Sequence, residues 1–414
     1  LSTNGIQELA YSQSGFIIGA PALGDLDGDT DLEIVFTTQN STSGKLYAIH
    51  HTGENVDGFP VDLDEKMVVG PALGDLEGDG FLDIVVTTYE DNIYAINSDG
   101  SIKSGFPYVA SHRFRSPATL VDLDGDNDLE IVAGNDDGNL YILHHDGTVM
   151  TTYDVGDDIR GGISVADIND DGSNELLFVG YDDKIHIWNP TTESELDGWP
   201  YDMGNNALSC PVTADLDNDG DLEIVTAMKS GTIYIFHHDG SIFNNFPYTV
   251  AGNIETTLAI GKLDTDDDYE IVFGTTSGLH VIDIKSESGE RDSWKLHRGN
   301  MMRTGLYNTT LTSVEPKDQI VPAKFYVSQN YPNPFNPSTT IEIQLAETNN
   351  LIVSIFDVTG RLINTLVNDK LEAGLYSVEW NGKDQNGRLI PTGVYIMKVV
   401  SGKNNHNQKI AFVK

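Results

Sequence analysis

Six short stretches of the chain concentrate carboxylates at a spacing that chemistry can use. In the first, GDLDGDTDLEIV, Asp25, Asp27 and Asp29 alternate, Asp31 stands at position seven and Glu33 at position nine. Alternate carboxylates on a tight loop converge on one point. A main-chain carbonyl at position seven and an acid at position nine complete a cage built from oxygen alone. Oxygen at that density suits a hard cation, and calcium takes about 6–8 such ligands at ~2.3–2.6 Å. Glycine at position four or six supplies the positive φ that so tight a turn demands. An EF-hand would carry its last acid at position twelve, between two helices. Here the last acid stands at position nine and a β-branched strand follows at once, so the loop is not an EF-hand.

Five copies carry the full set: Asp25/Asp27/Asp29/Glu33, Asp75/Glu77/Asp79/Asp83, Asp122/Asp124/Asp126/Glu130, Asp167/Asn169/Asp171/Glu175 and Asp215/Asp217/Asp219/Glu223. Asp31, Phe81, Asp128, Ser173 and Asp221 offer the position-seven carbonyls. The expectation is about five calcium ions. The sixth copy has Lys262 in place of its first aspartate. An ammonium there can pair with Asp264, Asp266 and Glu270, so this loop is expected to hold no ion.

The elements that must position these loops recur with them. The motifs start at 25, 75, 122, 167, 215 and 262, a step of 45 to 50 residues. A small-residue strand precedes each motif and a β-branched strand follows. A short alternating strand with Tyr comes next, as in 45–50, 92–97, 139–144 and 232–237. A turn then leads to Phe-Pro or Trp-Pro at 59, 106, 199 and 246. That makes about four short strands per repeat with no helical stretch. Four-stranded sheets repeated radially make a β-propeller. The fold class is therefore all-β: a propeller over 1–308 with six blades, or seven if one precedes Leu1. Closure removes open sheet edges, and either residues 1–15 or the tail 294–307 could supply it.

The loop pattern D-x-D-x-D-G-x-x-D/E resembles the FG-GAP (integrin-α-like) propeller repeat over roughly residues 15–290. The resemblance implies calcium in the loop between strands one and two of each blade. It is to the calcium-loop subtype, since only fragments such as Gly19-Ala20-Pro21 keep the founding signature, and it carries over no integrin ligand.

A polar, proline-containing stretch at 309–323 reads as a linker. Beyond it, 324–414 holds seven or so short strands in about 90 residues, the pattern of an Ig-like sandwich. Four motifs stand in it: Tyr331-Pro-Asn-Pro-Phe-Asn-Pro337, Asp357–Arg361 as D-x-x-G-R, Trp380–Gly387 as W-x-G-x-D-x-x-G, and Gly393-Val394-Tyr395. Together they resemble the type A sorting domain of the type IX secretion system. That resemblance implies a partnership with the secretion machinery, export across a bacterial outer membrane, and an extracellular or cell-surface location.

Charge supports two bodies. There are 64 acids against 24 Lys+Arg, a net of −40. From residue 320 onward nine cations meet seven acids, which leaves 15 cations and 57 acids before it, a net of −42. A nucleic-acid or anionic-lipid surface needs clustered cations, so both partners are excluded. No apolar run reaches ~18 residues, so no membrane helix is expected. The single cysteine, Cys210, rules out an intrachain disulfide and reads as a small buried thiol. The chain begins at Leu1 rather than Met, as a processed or partial chain would.

Other constellations carry less. His50-His51, His144-His145 and His237-His238 recur at one repeat position beside turns, and read as polar hairpin residues rather than zinc ligands. Seven positions before each motif stand Ile18, Val68, Arg115, Arg160, Leu208 and Glu255, on the face opposite the metal loops. Arg115 and Arg160 are neighbours in blade order, and His112, Arg113 and Phe114 adjoin them. This cluster suits a carboxylate-bearing or sulfated glycan, or a surface protein. It suits equally arginines that neutralise Asp157 and Asp158. No H-E-x-x-H, G-x-S-x-G or P-loop occurs. The leading expectation is a non-enzymatic binding or adhesion module. A carbohydrate-active lyase or glycosidase, the non-catalytic end of a larger exported hydrolase, and a fibre or surface-layer subunit are the alternatives.

Overall fold

The computed structural model describes residues 10–29, 31–264, 266–286, 288–289, 291, 293–307, 325–328, 330, 333, 335, 339–345, 348–359, 361–371, 374–383, 385 and 388–413. The chain divides into two compact units, Leu1–Thr312 and Ser313–Lys414. The expected linker and most of the Tyr331–Pro337 motif lie outside the described residues.

The first unit is built from six antiparallel sheets. Blade one comprises β1 (Ala22–Gly24), β2 (Glu33–Gln39), β3 (Gly44–Ile49) and β4 (Val61–Asp62). Blade two follows with β5 (Ala72–Gly74), β6 (Asp83–Thr87), β7 (Asn92–Ile96) and β8 (Tyr108–Val109). Blade three has β9 (Thr119–Val121), β10 (Glu130–Gly134), β11 (Asn139–Leu143) and β12 (Val149–Asp154). Blade four has β13 (Ser164–Ala166), β14 (Glu175–Val179), β15 (Lys184–Asn189) and two short outer pieces on β15, β16 (Ser194–Glu195) and β17 (Tyr201–Asp202). Blade five runs β18 (Val212–Ala214), β19 (Glu223–Ala227), β20 (Thr232–Phe236) and β21 (Tyr248–Thr249). Blade six departs from the four-strand expectation. It has three strands among the described residues: β22 (Ala259–Gly261), β23 (Glu270–Thr275) and β24 (Gly278–Asp283).

The second strand of a blade reads as an unbroken apolar run because blades stack on both of its faces. All five residues of DIVVT, ELLFV and EIVTA are buried. Inter-blade contact at the rim uses glycine. Gly58, at φ 90°, lies so close to the next blade's turn that a Cβ would collide with the Asp99 carbonyl oxygen. Gly105 stands the same way to Asp146, and Gly198 to Asp239. The turn before Phe59-Pro60, Phe106-Pro107 and Trp199-Pro200 is thus shaped by the Asp-Gly turn of the following blade, whereas Asn245, at φ 70°, stands before Phe246-Pro247.

Of the two candidates for closure, only the tail is fully described. Residues 10–15 lie against blade one, where the Tyr11 ring meets Phe36 and Tyr47 edge-on and its hydroxyl donates to Asn55 Oδ1 at 2.7 Å. Residues 1–9 lie outside the described residues. The tail adds no blade strand. It runs along the axis and satisfies inner strands in turn. Leu23, Leu73 and Leu120 donate main-chain N–H to the oxygens of Met302, Thr304 and Gly305, while Thr213 and Ile260 donate to those of Trp294 and Lys295. Short inner strands leave donors facing the axis, and a buried donor without a partner costs about 1–3 kcal/mol. Arg298 is carried inward with the tail, 4% exposed, donating to the carbonyls of Pro71, Ala118, Arg303 and Thr304.

The second unit is a sandwich of two antiparallel sheets. One holds β25 (Tyr326–Val327), β26 (Thr339–Leu345) and β29 (Gly374–Trp380) in that order. The other holds β28 (Leu362–Leu371), β27 (Asn349–Asp357), β30 (Gly393–Ser401) and β31 (Asn404–Phe412). Its motifs have structural work. Trp380 packs with Phe335 and Tyr395 and donates its indole N–H to the Lys383 carbonyl, and the Tyr395 hydroxyl donates to that of Pro391. Hydrogen bonds from Thr359 and Arg361 hold the Asp357 carboxyl down to about 2. Among the described residues no helix is long and apolar enough to cross a membrane.

Blades three and four share a buried polar cluster. His186, stacked on Phe178, hydrogen-bonds Glu195 at 2.6 Å and Asp182 at 3.3 Å, and the Tyr153 hydroxyl donates to the same Glu195. Burial works against the imidazolium, but its two carboxylate partners outweigh that and raise the His186 pKa. A raised folded pKa gives stability that is fully present below the unfolded value of about 6.5 and lost as pH climbs through the folded one. Thermal melts of wild type and His186→Gln should therefore differ most below pH ~6.5 and converge as pH rises toward 9. A difference that grows with pH would contradict this assignment.

Candidate metal loops and the opposite face

Each acidic loop bridges the first and second strands of its blade, and its winding is set by backbone signs. Positions four and six take positive φ in every copy where both are described, whether Gly78 and Gly80, Gly125 and Asn127, Asp170 and Gly172, or Asn218 and Gly220. Asparagine and aspartate tolerate this conformation best after glycine. The loops then wind their own side chains inward. Position seven donates its N–H to the position-five carboxylate in each complete copy: Asp31 to Asp29, Phe81 to Asp79, Asp128 to Asp126, Ser173 to Asp171 and Asp221 to Asp219.

The result is convergence. Oxygens of Asp25, Asp27 and Asp29 lie within 4.8 Å of one another, as do those of Asp122, Asp124 and Asp126. In blade five, Asp215 Oδ1 and Asp217 Oδ1 are buried and accept no hydrogen bond. Orphaned carboxylate oxygens are costly, and a divalent cation is the partner their chemistry fits.

Loop four carries Asn169 at position three, where the other complete loops carry an acid. Its side-chain amide donates to Asp171 Oδ2 at 2.9 Å, and its Oδ1 accepts the Asp171 main-chain N–H at 3.2 Å, as Asp27 and Asp124 accept from Asp29 and Asp126. An amide, unlike a carboxylate, carries donors, so beside an acid it can turn its N–H₂ toward the charge while its oxygen stays on the loop. That amide and the turn around Ser173 hold the Asp171 carboxyl below its usual range.

The position-nine acid differs from the others. Glu33, Asp83, Glu130, Glu175, Glu223 and Glu270 open the second strand of each blade and are buried. Each accepts the main-chain N–H of position two, from 2.7 Å at Leu216 and Leu263 to 3.2 Å at Leu76. The second oxygen has its own partner: His50, His144 and His237 in blades one, three and five, and Asn189 in blade four. The neighbouring histidines reach position seven, His51 to Asp31, His145 to Asp128 and His238 to Asp221, at 3.0–3.5 Å. The histidine pairs thus do more than fill a turn. They brace the acidic loop from the third strand, and Asp124, Glu130 and His144 form a group that could itself hold a metal, as do Asp217, Glu223 and His237. Burial, with Asp217 and Asp219 crowding beside it, pushes Glu223 up to about 8, and burial pushes Glu175 to about 7. A cation in the loop would reverse that push.

Blades two and six depart from the pattern. Lys103 takes the histidine's place in blade two, reaching Asp83 at 2.9 Å and Glu77. No feature of the repeat marks it beyond the missing histidine at Asn97. In blade six, Asp264, Asp266, Asp268 and Glu270 converge despite Lys262. The Lys262 ammonium lies over the Tyr269 ring, 5.4 Å from its centroid, and Lys285 pairs with Asp266, Asp268 and Asp283.

On the opposite face the six equivalent positions Ile18, Val68, Arg115, Arg160, Leu208 and Glu255 line one cavity on the axis. Arg113 and Arg160 donate Nε–H to Asp136 at 2.6 and 3.0 Å, Arg115 lies within ion-pair distance of it at 3.0 Å while donating to the Tyr89 hydroxyl, and Arg160 also pairs with Asp158. Asp136, whose side chain is 1% exposed, was not legible as their partner in the sequence. Tyr89 underlies Arg113 and Arg115, and Tyr181 underlies Arg160. Phe114 corrects the expectation. It is fully buried, edge-on to Tyr141, and offers no stacking surface, because strand alternation turns it opposite to its arginine neighbours. His112 is exposed. Cys210 is buried beside Ser164, and burial pushes its thiol up to about 11, which leaves it inert.

Two variants test the loop assignments. Glu223→Gln places an amide where the Leu216 N–H and His237 need acceptors, and should cost about 2 kcal/mol in denaturant unfolding. Lys103→Met frees Asp83 and Glu77, and should tighten calcium binding by loop two in a titration. An unchanged isotherm would refute the competition.

The FG-GAP-like repeat family matches residues 25–86 and 167–226, and the FlgD Ig-like domain family matches residues 333–405. No curated protein matches the chain. Among solved structures, the V. cholerae biofilm matrix protein Bap1 is 18% identical over 98% of this chain and 69% of its own, with a TM-score of 0.47. BamB from Moraxella catarrhalis is 16% identical over 68% and 87%, with a TM-score of 0.41. Saccharomyces cerevisiae Sqt1 is 14% identical over 62% and 69%, with a TM-score of 0.48. The chain thus combines FG-GAP-like repeats in an all-β, bladed body with an Ig-like C-terminal domain.

Proposed function

We propose that this chain is a calcium-stabilised, non-enzymatic binding module of a bacterial cell surface, exported through its C-terminal domain. The observation that carries the calcium reading is the convergence of loop carboxylates, with Asp215 Oδ1 and Asp217 Oδ1 buried and unpartnered. Asp25/Asp27/Asp29/Glu33, Asp122/Asp124/Asp126/Glu130 and Asp215/Asp217/Asp219/Glu223 would hold the ions, with position-seven carbonyls completing each set. Loop four offers Asp167, Asn169, Asp171 and Glu175, one carboxylate fewer, and should bind more weakly than these three. Lys103 competes at Asp75/Glu77/Asp79, and Lys285 at the sixth loop. The bound ion supplies charge neutralisation, letting a body of net −42 pack its loops at close range. Affinities near ~10⁻⁴–10⁻³ M would match calcium outside a cell. The binding reading rests on the axial cavity of the opposite face, whose six equivalent positions divide into aliphatic, cationic and acidic side chains while the loops repeat one acidic pattern. In repeat folds, departures from the repeat carry specificity. The export reading rests on the motifs of 324–414.

Chelation should lower the melting temperature by about 10 °C or more, since several sites each lose a binding term. Asp122→Ala should lower it by less. A melt indifferent to excess chelator would sink the calcium reading. For export, a reporter fused to residues 313–414 should reach the surface of a bacterium with type IX machinery and remain periplasmic in a strain lacking it. Equal display in both strains would refute the sorting role.

A further inference from the structure

The axial cavity opposite the acidic loops has a volume of 450 Å³, within the ~300–1,000 Å³ of small-molecule sites. Its sign is inverted relative to the unit that contains it. Arg113, Arg115, Arg160, Arg298 and Arg303 gather at or beneath it, against Asp136 and Asp158. Glu255, on the far wall, is already answered by Lys229 at 3.2 Å. Arg303 is exposed and makes no ion pair among the described residues. Arg298 is buried under the floor and donates to main-chain carbonyls, with no carboxylate partner among the described residues. A buried cation without a counter-charge is costly, and a concave site with low-dielectric walls focuses its field on whatever enters.

The remaining walls are not uniformly polar. Ile18, Val68 and Leu208 form an apolar side, while Thr257 and His297 present a hydroxyl and an imidazole, 3.2 Å apart. We propose that this basin is the ligand site of the module and that it takes a carboxylate-bearing sugar, a uronic acid at a chain end or branch. The carboxylate faces Arg115, Arg160 and Arg303, the C–H face of the ring lies on the apolar side, and ring hydroxyls meet Thr257 and His297. Planar guanidinium forks favour a planar carboxylate. The axial tail closes the cavity from below, so the group enters end-on rather than as an internal link of a threaded chain. Desolvation, with Arg298 and Arg303 beside it, lowers the His297 pKa, and with Nδ1 engaged by the Thr257 hydroxyl the ring has Nε2 left to meet one sugar hydroxyl.

The assignment rests on the reading of the chain as a binding module, and calorimetry separates the two. The full chain in millimolar calcium is titrated with galacturonic acid oligomers, with galactose oligomers of the same length, and with a peptide bearing a free C-terminal carboxylate. The acidic oligomer should bind, the neutral one should not, and affinity should fall as salt rises. Arg115→Gln and Arg303→Gln should each weaken binding about tenfold, the loss expected for one charged hydrogen-bonding group. Arg303 is exposed and unpaired, so its variant keeps the test decisive if the Arg115 substitution unfolds the blade. Equal binding of the neutral oligomer, tighter binding of the peptide, or undiminished affinity in both variants would overturn the assignment. If uronates fail to bind while the calcium-loaded chain still adheres to cells, the basin assignment falls and the binding-module reading stands. If adhesion is lost as well, both fall.

Discussion

In every blade a buried carboxylate at the start of the second strand accepts a main-chain N–H from the second residue of the acidic loop, from Glu33 and Leu26 to Glu270 and Leu263. The bond fixes where the loop leaves the first strand and where it enters the second. A buried donor left without its partner costs about 1–3 kcal/mol, so each of these bonds matters to its blade. With its ends fixed, the intervening loop is short enough that alternate side chains turn inward. The acids at positions one, three and five gather above the acid at position nine. The third strand reinforces the arrangement through His50, His144, Asn189 and His237, so the loop is tied to three parts of its blade.

The two faces of the propeller have opposite electrostatic logic. On the loop face, like charges are brought together and a cation relieves them. On the other face, guanidiniums are drawn to one buried carboxylate, Asp136, which three of them share. Asp136 and Asp158, which also pairs with Arg160, supply two negative charges against three positive ones. The residual field falls on the axis, where the tail adds Arg298 and Arg303. The tail therefore does two things at once: it satisfies the donors of the inner strands, and it sets the floor and charge of the cavity above it.

Motif and period made the fold legible. The 45–50-residue spacing, the acid positions and the absence of helical stretches led to six blades, and the short alternating strands after 324 to a sandwich. They did so because both signals are local: a loop that turns on positive φ at positions four and six needs glycine, asparagine or aspartate there, whatever surrounds it. The same locality explains where Phe114 misled. It stands between two arginines in sequence, and only its bridge to Asn135 in the tertiary structure decides that it faces Tyr141 while they face Asp136.

The sequence by itself determined the six repeats, the composition of each acidic loop and the division into an acidic and a near-neutral body. Tertiary structure alone decided that Lys103 and the histidines brace those loops, that Asp136 gathers three arginines, and that residues 294–307 line the axis instead of completing a blade. The physical reason is range. Loop chemistry is set by residues within nine positions of one another, whereas a buried charge or an unpaired inner-strand donor is satisfied by whatever the closed ring brings near. For Pro71 and Arg298 that partner lies 227 residues away.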